Sequence, residues 1–293
     1  MHPSTLGHLA QQEKTRREIL HKSDLIPPLP DLVAVVLSAL NKQETEPQDL
    51  EQLMQNDQVL VAKMLAMVNS PFYGMNRTIR TVREAVMVLG FRGVRSLVLA
   101  TSTAKFLQRD YSCYGHGPKG LWLHAICVAA GAKALARECK LGAEAAEQLF
   151  VAGLLHDIGK MLLVNYLADS GKRFDGVQSI TEFERTTIGL DHTEAGALVT
   201  AKWNLASDIQ EVIKAHHDAA NGSVARAVAA VRLADAVAHE IGVGYLPGKA
   251  PAAAILPADI ASLALSNEAW SAVRDRMAAQ MDEATAALAG LGG

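Results

Sequence analysis

Residues 149–164 read LFVAGLLHDIGKMLLV, with His156, Asp157 and Lys160 set among apolar residues. An apolar run of this length and spacing is typical of a buried helix. Burying a polar group without a partner costs about 1–3 kcal/mol, and burying an isolated charge costs far more. These three side chains therefore need partners, which a metal ion, a substrate or an internal hydrogen-bond network could supply.

The remainder of the chain also repeats its apolar residues at helical spacing, without convincing alternating strands. Alanine is abundant and aromatic residues make up only 5% of the sequence, which favours helix over sheet. Three predicted capping boxes mark helix starts, and they pair Thr181 with Glu184, Asp191 with Glu194 and Ser207 with Gln210. We predict an all-α protein in two packed lobes, a multi-helix bundle.

The turn-rich stretch YSCYGHGPKG (111–120) is the predicted joint between the two lobes. Before it, residues 1–19 form a helical leader and residues 20–110 a lobe of short helices. After it, residues 120–220 form the second lobe, which the helices of residues 221–293 complete.

Composition limits the class of protein. The chain has 293 residues and a net charge of −3, which gives no general attraction to nucleic acid or anionic membrane. No secretory signal precedes the first helix, and no run approaches the roughly 18 apolar residues of a membrane span. Cys113, Cys127 and Cys139 are not spaced as CxxC and are interpreted as reduced thiols. We expect a cytoplasmic protein.

Two surface features concern partners. Five arginines cluster with only Glu84 to oppose them: Arg77, Arg80, Arg83, Arg92 and Arg95. They form either a solvated basic face or a contact for a protein or nucleotide, whereas a nucleic-acid partner is not favoured because aromatic residues do not interleave. Trp270, Val273, Met277 and Met281 share one face of the last helix, which favours internal packing and leaves a homodimer open.

An ordered series of histidines and aspartates accompanies the opening motif. Its members lie on or at the ends of predicted helices: His124, His156, Asp157, His192, His216, His217 and Asp235. Helical bundles build metal sites from side chains on facing helices. Imidazoles and carboxylates without thiolates suit a divalent metal such as iron, manganese, nickel or zinc. Nothing in the sequence indicates an organic cofactor.

Simpler interpretations exist for single residues. A lone histidine on a helix is more often an ordinary core or surface group, and we assign His2, His8, His21 and His116 to that class. Asp235 could pair with His239 one turn later, without a metal. Lys160 could be a solvated side chain whose stem covers apolar surface.

The order of the series resembles the H…HD…D motif of the HD superfamily of metal-dependent phosphohydrolases. That resemblance implies that His124, His156, Asp157 and Asp235 bind metal and that Asp157 could bridge two ions. His192, His216 and His217 resemble the additional ligands of the HD-GYP branch of cyclic-di-GMP phosphodiesterases. In that branch the lysine equivalent to Lys160 contacts substrate phosphate. No GYP loop follows His217, where the chain runs DAANGS.

The wider chain resembles the HDOD domain over roughly residues 20–220, through NDQVLVAKMLAMVNSPFYG, IRTVREAVMVLGFRGVRSLVLA and LLHDIGK. HDOD domains are all-helical bacterial signalling modules, many of which have lost metal ligands. The resemblance implies a regulatory module that acts through contacts with a signalling protein and retains a metal pocket. The alternative is a metal-dependent phosphohydrolase acting on a nucleotide or cyclic dinucleotide. In that case Lys160 and Asp157 would be the catalytic residues.

Overall fold

The computed structural model describes residues 3–21, 25–40, 42, 44–55, 57–70, 73, 75–218, 225–251 and 254–289. The described residues form an all-α structure, as predicted. Its helices are α1 Pro3–His21, α2 Asp31–Leu40, α3 Pro47–Met54, α4 Gln58–Val68, α5 Val82–Leu107, α6 Gly120–Glu138, α7 Ala143–Leu155, α8 Lys160–Ser170, α9 Ile180–Ile188, α10 His192–Lys202, α11 Ser207–Ala215, α12 Ala225–Glu240, α13 Pro257–Ser262 and α14 Asn267–Ala289.

Helices α2–α5 pack on one another and form the amino-terminal lobe. Pro47 occupies the first turn of α3, where its missing N–H costs nothing. The Thr81 hydroxyl accepts a hydrogen bond from the Glu84 N–H and caps α5. Helix α5 is interrupted at Gly90, whose φ of 71° is left-handed and is readily adopted by glycine.

Helices α6–α14 form the carboxyl-terminal lobe, in which α6 and α7 make the most extensive contact. Helix α12 and helix α14 pack on α6, while α10 packs on α11. The leader helix α1 packs on α9 and α10, and Arg16 forms an ion pair of 2.9 Å with Glu194. The leader is thus attached to the lobe that is most distant from it in sequence.

Residues 143–170 are not one helix. Helix α7 ends at Leu155, α8 begins at Lys160, and residues between them form a turn with i to i+3 hydrogen bonds. The Ile158 N–H donates to Leu155 and the Lys160 N–H donates to Asp157. The apolar pattern continues through this turn because the turn itself is buried, so periodicity alone did not reveal the break.

Two of the three predicted capping boxes are wrong. Helix α9 is capped by Ser179, which leaves Glu184 free to point into the interior. Helix α11 has Ala206 at its N-cap, and the Gln210 side chain donates instead to Leu205 O. Asp191 does cap α10 by accepting from the N–H groups of Thr193 and Glu194. The pattern therefore located the start of α10 correctly and the starts of α9 and α11 only within two positions.

Two apolar stretches, Val82–Leu107 and Ala143–Ser170, are long enough to cross a membrane by length and composition alone. The most apolar windows of these stretches are 61% and 89% buried inside the protein, as core helices are, so they are weak evidence for a span. Trp270, Val273 and Met277 are also buried, which confirms the packing role of the last helix. Pro71, Phe72 and Gly74 of the NSPFYG motif lie outside the described residues, as does His2.

Candidate metal centre

The turn between α7 and α8 places the His–Asp pair. His156 and Asp157 lie at the end of α7 and are 1% and 2% exposed. The turn fits because Gly159 has no side chain: a Cβ there would lie 2.0 Å from His192 O and 2.5 Å from Gly196 N. Close approach of this turn to α10 therefore requires glycine, and it brings Asp157 within reach of His192.

All seven predicted ligands meet in one cluster. Three sets each have ligand atoms within 4.8 Å of one another: His124, His156 and Asp235; His156, Asp157 and His216; and His192, His216 and His217. The second set shares a histidine with each of the others, so the three sets are continuous. Side chains from α6, the α7–α8 turn, α10, the end of α11 and α12 thus converge on one cluster, which is buried except at its edge, where His217 is exposed.

The carboxylate of Asp157 lies at the middle of this cluster. Its Oδ1 is 3.3 Å from His192 Nε2, and its Oδ2 is 3.3 Å from His156 Nε2. Each carboxylate oxygen therefore faces a different part of the cluster. Such a placement is compatible with a carboxylate that bridges two ions.

Hydrogen bonds orient three of the histidines. The Nδ1 atoms of His156 and His216 lie 2.7 and 2.6 Å from the carbonyl oxygens of Gly153 and Ile213. Because a carbonyl oxygen only accepts, each Nδ1 carries the hydrogen and each Nε2 presents a lone pair. This arrangement of outer hydrogen bonds is the one that orients histidine ligands in metal sites.

Glu184 performs the same role for His192. Its Oε2 lies 2.6 Å from His192 Nδ1 and accepts from the His192 backbone N–H at 2.9 Å. Its Oε1 accepts a hydrogen bond of 2.8 Å from the Tyr114 hydroxyl. Glu184 is fully buried, so the series of hydrogen bonds from Tyr114 through Glu184 to His192 is shielded from water. The sequence pattern did not identify either residue, because nothing in ITEFERTTI distinguishes an inward glutamate from a helix-capping one.

The electrostatic environment favours the metal-binding form of most of these groups. His156 differs, because burial acts to lower its pKa but Asp157 outweighs burial and raises that pKa. Burial lowers the pKa of His124 to about 4 and holds the pKa of His216 well below its ordinary value. Burial also acts to raise the pKa of Asp157, but Lys160 and His156 outweigh it and hold that pKa well below its usual range. Neutral imidazoles and an ionised carboxylate are the states that bind metal.

Lys160 is a member of the site and not a solvated surface residue. It is 4% exposed, and its Nζ donates to Asp157 Oδ2 at 2.7 Å. The ammonium also lies 5.3 Å from the centre of the Tyr114 ring. A buried lysine paired with a buried aspartate neutralises part of the carboxylate charge.

Asp235 is approached by two histidines at the same oxygen. His124 Nε2 lies 2.9 Å and His239 Nε2 3.2 Å from Asp235 Oδ1. The predicted local pair with His239 therefore exists beside the contact with His124. Yet, within the described part of the chain, Asp235 Oδ1 and both ring nitrogens of His124 lack a partner with hydrogen-bond geometry. Buried polar atoms without such partners are expected at a site that binds an ion.

A loop covers this end of the cluster. Tyr245 stacks on His116 with ring centres 4.1 Å apart and lies 5.1 Å from His239. His116 and Tyr245 form an isolated bridge, and the Gly117 N–H donates to Gly244 O. His116 is thus buried beside the site, although it was predicted to be an ordinary core or surface residue. His21 is exposed, as that prediction allows.

A cavity of about 250 Å³ opens beside the ligands. Its lining includes Asp157, Lys160, Arg232, His217 and Tyr245. The Arg232 guanidinium is held by Asp259 at 3.2 Å and donates to Asp218 O. Two cations therefore border a cavity that reaches the metal-ligand cluster.

Comparison with known proteins assigns the family. The model of the HDOD domain matches residues 26–219, about two thirds of the chain, and the chain therefore belongs to the HDOD family. It is similar to the crystal structure of an HDOD domain protein from Geobacter sulfurreducens, with 25% identity and a TM-score of 0.72. That similarity covers 95% of this chain and 97% of the other.

Other relatives agree in fold. A protein from Marinobacter aquaeolei VT8, provisionally described as a signal transduction protein, is 20% identical to this chain, with a TM-score of 0.73. The similarity covers 95% of this chain and 65% of the Marinobacter chain. A protein from Shewanella amazonensis SB2B, provisionally named a metal-dependent phosphohydrolase, is 16% identical to this chain, with a TM-score of 0.65. The similarity covers 94% of this chain and 99% of the Shewanella chain. In sequence, the chain is 27% identical to a protein of Treponema pallidum (strain Nichols). The aligned part is 74% of this chain but only 42% of the length of that relative.

Proposed function

We propose that this protein is a bacterial, cytoplasmic signalling module of the HDOD family that keeps a metal ion in its HD-type pocket. The observation that supports a bound metal is the short distance of 3.2 Å between His192 Nε2 and His216 Nε2. Both Nδ1 atoms lie against oxygen acceptors, so the two Nε2 atoms present lone pairs to each other. Two such lone pairs repel one another unless a cation is present with them.

Two ions fit the donor set. His124, His156, Asp157 and Asp235 would hold one ion, and His192, His216 and His217 would hold a second with the other oxygen of Asp157. Imidazole and carboxylate donors suit iron, manganese, nickel or zinc. When bound, such a metal lowers the pKa of coordinated water to about 7.

The signalling role rests on how the ligands are distributed. They come from five separate parts of the carboxyl-terminal lobe, so an ion in the cluster would connect all five parts. A structural ion of this kind adds its binding free energy to the stability of the folded lobe. The output would be a contact with a signalling protein partner, which the family membership and the similarity to the Marinobacter protein support.

Metal analysis tests this proposal. Protein purified anaerobically with iron, manganese, nickel and zinc supplied in turn should contain one to two ions per chain by mass spectrometry. The double variant His156→Ala, Asp157→Ala should contain background amounts, while a matched variant of exposed residues, His21→Ala with Asp110→Ala, should retain the wild-type content. Absence of bound metal in the wild-type protein under all these conditions would refute the proposal.

A phosphohydrolase is the second candidate, and the cavity beside Lys160 and Arg232 favours it. A phosphate group in that cavity would meet two cations next to the proposed ligands, and such cations stabilise charge that develops during phosphoryl transfer. Hydrolysis of bis-p-nitrophenyl phosphate, nucleotides and cyclic di-GMP should then be lost in Asp157→Asn and reduced in Lys160→Met. Metal-loaded wild-type protein that hydrolyses none of them would exclude this candidate and leave the module.

A further inference from the structure

A second cavity lies at the junction of the two lobes. Its volume is about 430 Å³, which exceeds that of the cavity at the metal cluster and lies within the roughly 300–1,000 Å³ of small-molecule sites. Tyr73, Met75 and Leu89 line it from the amino-terminal side, and α6 and α14 line it from the carboxyl-terminal lobe. The two cavities share no lining residue in the described part of the chain.

The apolar wall of this cavity contains methionines. Met277 and Met281 of α14 approach α6 closely at Gly131, where an added Cβ would lie 2.8 and 2.6 Å from their Cε atoms. Met75 faces the same cavity from the other lobe. Methionine side chains are unbranched and polarisable, so they adapt to flat or irregular apolar groups.

The polar wall carries three cations in different states. Lys133 is buried and pairs with Glu147 at 2.5 Å, and Arg276 pairs with Glu138 at 2.7 Å. Arg137 is exposed at the cavity and forms no ion pair among the described residues. Arg137 thus remains available for an incoming anion, beside an aromatic ring and an adaptable apolar wall, although the exposed carboxylate of Glu283 also lines the cavity.

The Lys133 ammonium is engaged by neighbours within the protein. Its Nζ lies 5.5 Å from the centre of the Tyr73 ring and 5.3 Å from that of Phe150. Glu147, its partner, also accepts a hydrogen bond from the Ser96 hydroxyl at 2.8 Å. Glu147 is thus engaged by Lys133 and Ser96, and it forms no ion pair with Arg137 among the described residues.

We propose that the cavity between Tyr73, Lys133, Arg137 and Met277 binds a small organic anion that has an apolar, flat part. The carboxylate, sulfonate or phosphate of such a ligand would pair with Arg137, and its apolar part would lie against the methionines. Since both lobes line the cavity, the ligand would stabilise one relative arrangement of the lobes.

The aryl sulfonate 8-anilinonaphthalene-1-sulfonate is a suitable probe, with fluorescence and calorimetry as readouts. We expect saturable binding of one probe molecule per chain. Arg137→Glu should weaken that binding about tenfold or more, because it replaces an ion pair with a repulsion. Ala134→Trp, which places a large side chain in the cavity, should abolish it. Arg83→Glu, the same charge reversal at an exposed position outside the cavity, should leave it unchanged.

Several results would overturn the proposal. One is the absence of saturable binding to the wild-type protein. Another is equal affinity in Arg137→Glu and Arg83→Glu, since the probe would then bind elsewhere. Thermal unfolding of each variant separates loss of the site from loss of the fold, and Arg137→Glu, at an exposed position, keeps the test decisive if Ala134→Trp unfolds. Metal content measured in the same samples should not change.

Discussion

The two lobes bury different kinds of side chain. In the described part of α2–α5, the buried residues are apolar apart from hydroxyl groups such as those of Thr101 and Thr103, which donate to carbonyls of their own helix. The carboxyl-terminal lobe buries His156, Asp157 and Lys160 together, with further histidines around them. The interior of the first lobe is therefore mainly apolar, whereas the second contains charges whose burial is costly without an ion.

Because the two lobes bury different kinds of side chain, we expect folding stability and metal affinity to depend on different residues. Substitutions in the amino-terminal core should lower stability and leave metal affinity unchanged, whereas substitutions at the cluster should lower metal affinity first. The following experiments test that separation, in order of decreasing effect.

Leu50→Ala in α3 should have the largest effect on stability. Leu50 is fully buried, and truncating such a leucine costs about 2–5 kcal/mol of unfolding free energy. Denaturant unfolding of the metal-free protein measures the loss, and Val59→Ala, at a residue 63% exposed, is the control. A large loss of metal affinity in folded Leu50→Ala protein would show that the lobes are coupled more strongly than their contacts indicate.

Asp157→Asn should lower metal affinity by more than about 100-fold, because it removes a charged donor and not only an outer hydrogen bond. The amide keeps the shape of the side chain, so the fold should be retained. Calorimetric metal titration gives the affinity, with Asp110→Asn as the control at an exposed aspartate. Unchanged affinity would remove Asp157 from the ligand set.

Glu184→Gln should weaken metal binding by about 10–100-fold. The amide can still accept from the His192 N–H, but it holds the imidazole less strongly than the carboxylate does. The same titration applies, and Glu182→Gln on the exposed side of α9 is the matched control. If the two variants bind metal equally, the contact with His192 has no part in metal binding.

Reversal of two exposed arginines, Arg77→Glu with Arg80→Glu, should change stability by less than about 0.5 kcal/mol and leave metal content unchanged. Both side chains are exposed, and Arg92 already has a partner in Glu144 at 3.1 Å. Thermal unfolding measures the effect. A loss above about 1 kcal/mol would show that this basic surface contributes to the folded lobe.

The sequence by itself determined the class of the fold and the members of the cluster. Apolar residues at helical spacing specified helices, and the order His124, His156–Asp157, His192, His216–His217, Asp235 selected every member of the three candidate metal-binding sets. Such local patterns are readable because periodicity depends on near neighbours in the chain. Whether these residues bind metal remains a prediction.

Only the tertiary structure decided the rest. The break after Leu155, the inward direction of Glu184 and the cover formed by Tyr245 depend on contacts between residues distant in sequence. Glu184 was predicted to cap a helix because a capping pattern looks the same whether the glutamate faces water or the interior. Local spacing specifies a helix and its periodic face, but the packing of distant helices specifies which polar group is buried and what it contacts.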